Sequence, residues 1–127
     1  MSCGKNHMDE FATGNSQKGI VGKWKLVRSE NGIGNGDVNV VDRRSENFII
    51  TFDSIGNTTN PNFECKGKYN FTWDEEGKNH EPNMTINFDC PVSTAEYYAG
   101  FEDNNHLYLS NVHCDEQCTD IYRRLKD

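Results

Sequence analysis

The sequence predicts an all-β fold, an antiparallel up-and-down barrel of about eight short strands. Three observations predict it. From Gly19 onward apolar and polar residues alternate with a period of two in segment after segment, the pattern of strands with one buried face. Clusters of Gly, Asn, Asp and Pro separate these segments at short intervals, as turns do. No stretch longer than ten residues carries apolar groups at i, i+3, i+4 and i+7, so no helix is expected.

The elements follow in order. Residues 1–18 have no period and few large apolar groups, so they are expected to be a flexible tether before a domain spanning 19–127. In "GIVGKWKLVRSEN", Ile20, Gly22, Trp24 and Leu26 face one way and Val21, Lys23, Lys25 and Val27 the other. "NGIGNGDVNV" reads as a loop or broken edge, with "DVNVV" able to supply an extra strand. "NFIITF" is a strand, "NTTNPN" a turn, and "CKGKYNFTW" a strand with Tyr69, Phe71 and Trp73 on one face. "DEEGKNHEP" breaks the chain, and "NMTINFDC" then places Met84, Ile86, Phe88 and Cys90 on one face. Three more strands lie in "TAEYYAGF", "HLYLSNV" and "DIYRRL".

Hairpin register is set by the pairing that puts both apolar faces on one side. Between "CKGKYNFTW" and "NMTINFDC" that pairing opposes Phe71 to Met84, Tyr69 to Ile86, Gly67 to Phe88 and Cys65 to Cys90. The two thiols then meet within disulfide reach. In "VHCDEQCTD", a turn over Asp115, Glu116 and Gln117 opposes Cys114 to Cys118, giving a second bridge. The fifth cysteine, Cys3, stands apart in the tether. Two disulfides and one separate thiol imply an oxidising, extracytoplasmic compartment; five reduced thiols in a cytosolic protein are the alternative.

Composition excludes several functions. The net charge is −7 and no Lys/Arg cluster is longer than the pairs Arg43–Arg44 and Arg123–Arg124, which disfavours nucleic acid and anionic membranes as partners. At 127 residues and a mean hydropathy of −0.86, the chain makes one domain that must use its apolar side chains economically. There is no run of 18 apolar residues, so no membrane-spanning helix is expected. His113, Cys114 and Cys118 with the intervening acids could bind zinc, but a second ligand pair is missing; no metal and no cofactor is expected. The four histidines, at positions 7, 80, 106 and 113, lie in tether or turn context and assemble no catalytic group, so the chain is not expected to be an enzyme. "GIGNG" lacks the dinucleotide-binding pattern, and "DEEGKNHE" lacks the carboxylate spacing of a calcium loop. Asn-x-Thr sequons at Asn57, Asn70 and Asn83 read as accidental.

"VGKWKLVRSEN", followed by an all-strand chain ending "DIYRRLKD", resembles the calycin superfamily of lipocalins and fatty-acid-binding proteins. It looks most like small bacterial lipocalin-like domains that open on Gly-x-Trp-x-Leu. The resemblance implies that Trp24 plugs one end of the barrel, that Gly22 lets the strand bend close to its neighbour, and that a basic residue of the last strand packs across the indole. Cys114–Cys118 pairing would turn Arg123 inward, whereas the family's Tyr-x-Arg spacing points to Tyr122 and Arg124. The carboxylate-binding arginine of fatty-acid-binding proteins corresponds to Asp120, so the resemblance does not extend to a fatty-acid ligand. Cys3 in "SCGKN" also resembles the acylated first residue of a mature bacterial lipoprotein, which would tether the barrel at a membrane; an incidental tail cysteine is the alternative.

These readings give a monomeric, non-enzymatic, extracytoplasmic barrel. It would hold a small apolar ligand between the inward Tyr69, Phe71, Ile86 and Phe88. The alternative is a protein-binding barrel, such as an inhibitor of a secreted protease, that uses loops like "NGIGNGDVNV".

Overall fold

The computed structural model describes residues 10–13, 19–32, 37–60, 63–72, 83–89, 92–112 and 118–126. Nine strands run in chain order: β1 (Gly22–Gly32), β2 (Val38–Asp42), β3 (Ile49–Phe52), β4 (Asn57–Asn60), β5 (Phe63–Phe71), β6 (Met84–Asp89), β7 (Val92–Asp103), β8 (His106–Asn111) and β9 (Cys118–Arg124). All pairings are antiparallel. The order is β2-β1-β3-β4-β5-β6-β7-β8-β9, and β1 also pairs with β9. Eight strands therefore close a barrel, as the alternation predicts. β2 continues the line of β3 along the second half of β1, pairing with Arg28–Gly32 where β3 pairs with Gly22–Lys25.

Inward side chains make one apolar core of Ile20, Trp24, Leu26, Ile50, Phe52, Met84, Ile86, Phe88, Ala99, Leu107, Leu109 and Tyr122. The β5–β6 ladder has the register expected from its apolar faces, with Gly67 opposite Phe88, Tyr69 opposite Ile86 and Phe71 opposite Met84. Phe88 and Ile86 fill the space that a Gly67 side chain would take. The next opposed positions would be Cys65 and Cys90; the Cys65 side chain, Cys90 and Trp73 lie outside the described residues.

Three expectations change. "NTTN", read as turn, is strand β4. Its buried Thr58 can be polar because the hydroxyl is satisfied on the Thr51 carbonyl at 2.6 Å. The β8–β9 register also differs. Leu107 opposes Tyr122 and Ser110 opposes Thr119, so the ladder continues toward Asn111, not Cys114, across from Cys118. A turn over Asp115–Gln117 would displace this ladder by an odd number of positions and turn Arg123 rather than Arg124 inward. Cys118 is in a disulfide, while Cys114 and the proposed pairing lie outside the described residues. His106, expected in a turn, is the first residue of β8 and bonds Asp103 at 2.8 Å.

Within the segment expected as a tether, Glu10, Phe11 and Ala12 lie on the barrel. Phe11 bridges to Leu125 and is 3% exposed. Ala12 N–H donates to the Arg124 carbonyl, and Lys126 N–H to that of Glu10. The Arg123 guanidinium lies 4.2 Å over the Phe11 ring. Glu10 pairs with Lys25 at 2.9 Å, which compensates an ammonium that this cover removes from water.

Candidate functional site at the far end of the barrel

The two ends of the barrel differ in chemistry. At the first, Trp24 is fully buried and donates its indole N–H to the Ile20 carbonyl at 2.8 Å. The Arg124 guanidinium stacks on its ring at 4.3 Å. From there Arg124 donates to the carbonyls of Gly19 (2.6 Å), Val21 (2.9 Å) and Asn104 (2.9 Å). One side chain thus ties the entry to β1 to the β7–β8 turn. It is the basic residue that the resemblance places across the indole. Gly22 has φ +140, and a Cβ there would stand 3.1 Å from Arg124 Nη1, so glycine serves both the backbone bend and the guanidinium's room.

Tyr69 and Phe71 also lie toward this end. The Tyr69 ring meets Phe52 edge-on at 4.9 Å and its hydroxyl donates to the Asp53 carbonyl. Burial, with Asp53 nearby, raises the Tyr69 pKa. Phe71 meets Phe101 edge-on at 5.9 Å. Met84 and Ile86 are 0% and 1% exposed and Phe88 7%, so these inward residues contact one another rather than solvent.

At the other end the inner wall turns polar, and a bulge is the cause. The β1–β9 register runs Leu26 to Tyr122, then Arg28 to Ile121, with Val27 as the extra residue. Past the bulge the faces exchange, so Ser29 rather than Arg28 points inward beside Asp120. Ser29, 1% exposed, donates to Asp120 Oδ1 at 2.7 Å and accepts from Arg43 Nη1 at 3.1 Å. Arg43 is in turn held by Glu46 in the short helical turn Arg44–Glu46. The Glu46 bond raises the Arg43 pKa, with a smaller contribution from Asp120. Two phenols face the same carboxylate. Tyr122 is driven far above its ordinary value, first by burial and then by Asp120 and Tyr97; Tyr97 is raised by burial and Asp120. Ser93, Asn111 and Asn39, which continue the inner face at this end, are exposed, and Val41 is 37% exposed.

Ser29, Arg43, Tyr97, Asp120 and Tyr122 are thus one group at this end, flanked across the ladders by the apolar Leu26 opposite Tyr122 and Leu109 opposite Asp120. Sequence reasoning found Asp120 only as a departure from a family pattern and missed the others as a group, because a bulge leaves no mark in the alternation. Among the described residues no group of three or more His, Cys, Asp or Glu could hold a metal ion. The Asn83 side chain is taken up by β7, donating to the Ala99 carbonyl at 2.8 Å and accepting the Ala99 N–H at 2.7 Å.

No family model matches the chain, and neither the curated proteins nor the solved structures contain a match. The architecture itself, a closed antiparallel eight-stranded barrel, is compatible with a lipocalin-like fold.

Proposed function

We propose that this chain is a non-enzymatic binding barrel of the calycin kind. It takes a small ligand with an apolar body and a hydrogen-donating or cationic head at the end opposite Trp24. The observation that carries this reading is the Asp120 carboxylate, which accepts from Ser29 on the inner wall and lies near enough to Tyr97 and Tyr122 for its charge to act on both phenols. A carboxylate accepts only, and here it stands where the resembled family offers an arginine to a carboxylate. The sign of the preferred head group is therefore inverted. The apolar floor below is already filled by its own side chains, as in small eight-stranded barrels, so the ligand sits shallowly. A protein of this kind acts outside the cytoplasm as a monomer, with a lipid on Cys3 as its only membrane attachment.

Octylamine and octanoate distinguish this reading from a fatty-acid site. The amine is expected to raise the thermal midpoint. At about 100 times its dissociation constant it adds roughly 2.7 kcal/mol, while octanoate adds little. Asp120→Asn removes the difference between the two probes. Equal shifts in the unaltered protein, or none with either probe, overturn the reading.

A further inference from the structure

We propose that the free edge of β2 captures an extended polypeptide segment as an added strand. Four observations lead there. β2 has one neighbour, β1, and no other pairing among the described residues. Its phase is fixed by the backbone bond from Arg43 N–H to the Val27 carbonyl. In an antiparallel ladder, residues that bond across the pair alternate with residues that turn away. Stepping by two from Arg43, it follows that Val41 and Asn39 bond to β1. Val38, Val40 and Asp42 therefore present their N–H and C=O groups to the open side. The Val38 and Val40 side chains are 42% and 57% exposed, and every residue of β2 is exposed. The strand "VNVVD" carries neither proline nor lysine, the usual guards of an open edge.

The geometry also selects the occupant. A row of outward N–H and C=O groups at two-residue spacing is matched by another extended backbone, and by no small molecule. The residues opposite Val38 and Val40 lie beside exposed valines, which favours apolar or β-branched side chains at alternate positions. A second copy of this chain fits poorly. A two-fold antiparallel contact about Val40 would set Val38 against the partner's Asp42. Five residues from each side would bury well under the roughly 1,000 Å² that a stable dimer needs. The occupant is therefore a short extended segment of another polypeptide. This proposal does not depend on a ligand at the far end of the barrel.

Amide hydrogen exchange tests it, with a pool of synthetic peptides of about seven residues that alternate valine with threonine, lysine or glutamate. In the protein alone, Asn39, Val41 and Arg43 should be protected and Val38, Val40 and Asp42 should exchange freely. A binding peptide should protect that second set and leave the first unchanged. Val40→Pro removes one outward N–H without touching the β1 ladder, so it should leave the melting curve in place and weaken the peptide about tenfold. Val40→Lys, a second blocked edge, should do the same. The proposal is overturned if no peptide in the pool protects the edge, if the two variants bind as well as the parent, or if Val38, Val40 and Asp42 become protected by raising the protein's own concentration.

Discussion

Gly22 and Arg124 constrain each other. The glycine adopts φ +140 and leaves 3.1 Å to the guanidinium that stacks on Trp24. Gly22→Ala would strain the backbone and push that guanidinium from its three carbonyl acceptors, at a cost of about 1–3 kcal/mol. Trp24→Ala should cost about 3–5 kcal/mol, as truncation of a fully buried ring does. Lys23→Ala, at an exposed position between them, should stay within about 0.5 kcal/mol. Urea midpoints rank the three, and equal midpoints for Trp24→Ala and Lys23→Ala would contradict the plug. Tyr122 contributes to stability on the alkaline side. Its folded pKa is raised, chiefly by burial and then by Asp120 and Tyr97. The stabilisation is then complete below the unfolded value of about 10 and is lost as pH rises above it, because only the unfolded chain releases the proton there. Tyr122→Phe should flatten the loss of stability above about pH 10, and an unchanged alkaline limb would exclude Tyr122 as its source.

Strands are legible in sequence where one face is continuously apolar. β6 places Met84, Ile86 and Phe88 at two-residue spacing, β5 sets Tyr69 and Phe71 opposite two of them, and β1 carries Trp24 and Leu26 in the same way, so a one-residue slip would turn these side chains to water. The β5–β6 register follows from that alone. β9 offers less. Its inward face is Asp120, Tyr122 and Arg124, so hydropathy cannot place it, and the cysteines pointed to a different pairing. The deciding contact was Arg124 on Trp24, between residues 100 positions apart. β4 was illegible because a polar strand with one buried threonine has the composition of a turn. Phe11 was illegible for a related reason: a single aromatic with no periodic companions gives no sign that it is docked. The polar cluster required the bulge at Val27, and a bulge is a property of two paired strands rather than of either one.

The whole molecule is closed by its termini. β1 and β9 pair over contacts such as Leu26 with Tyr122, which are 96 positions apart in a chain of 127 residues. The β5–β6–β7–β8 meander is built from neighbours in sequence. Loop-closure entropy must be met before distant pairs can contribute, so such a barrel should refold in milliseconds to seconds rather than microseconds. We expect the meander to form first and the β1–β9 seam last. Leu26→Ala and Ile86→Ala test this, since both remove a buried aliphatic side chain, at 3% and 1% exposure, and each should cost about 2–5 kcal/mol at equilibrium. A seam that closes after the transition state makes the Leu26 loss appear as faster unfolding, with folding nearly unchanged. A formed meander makes much of the Ile86 loss appear as slower folding. Chevron plots of the two variants read this directly. If Leu26→Ala slows folding as much as Ile86→Ala does, the seam is already paired at the barrier, and Trp24 with Arg124 belongs to the folding nucleus rather than to the final closure of the barrel.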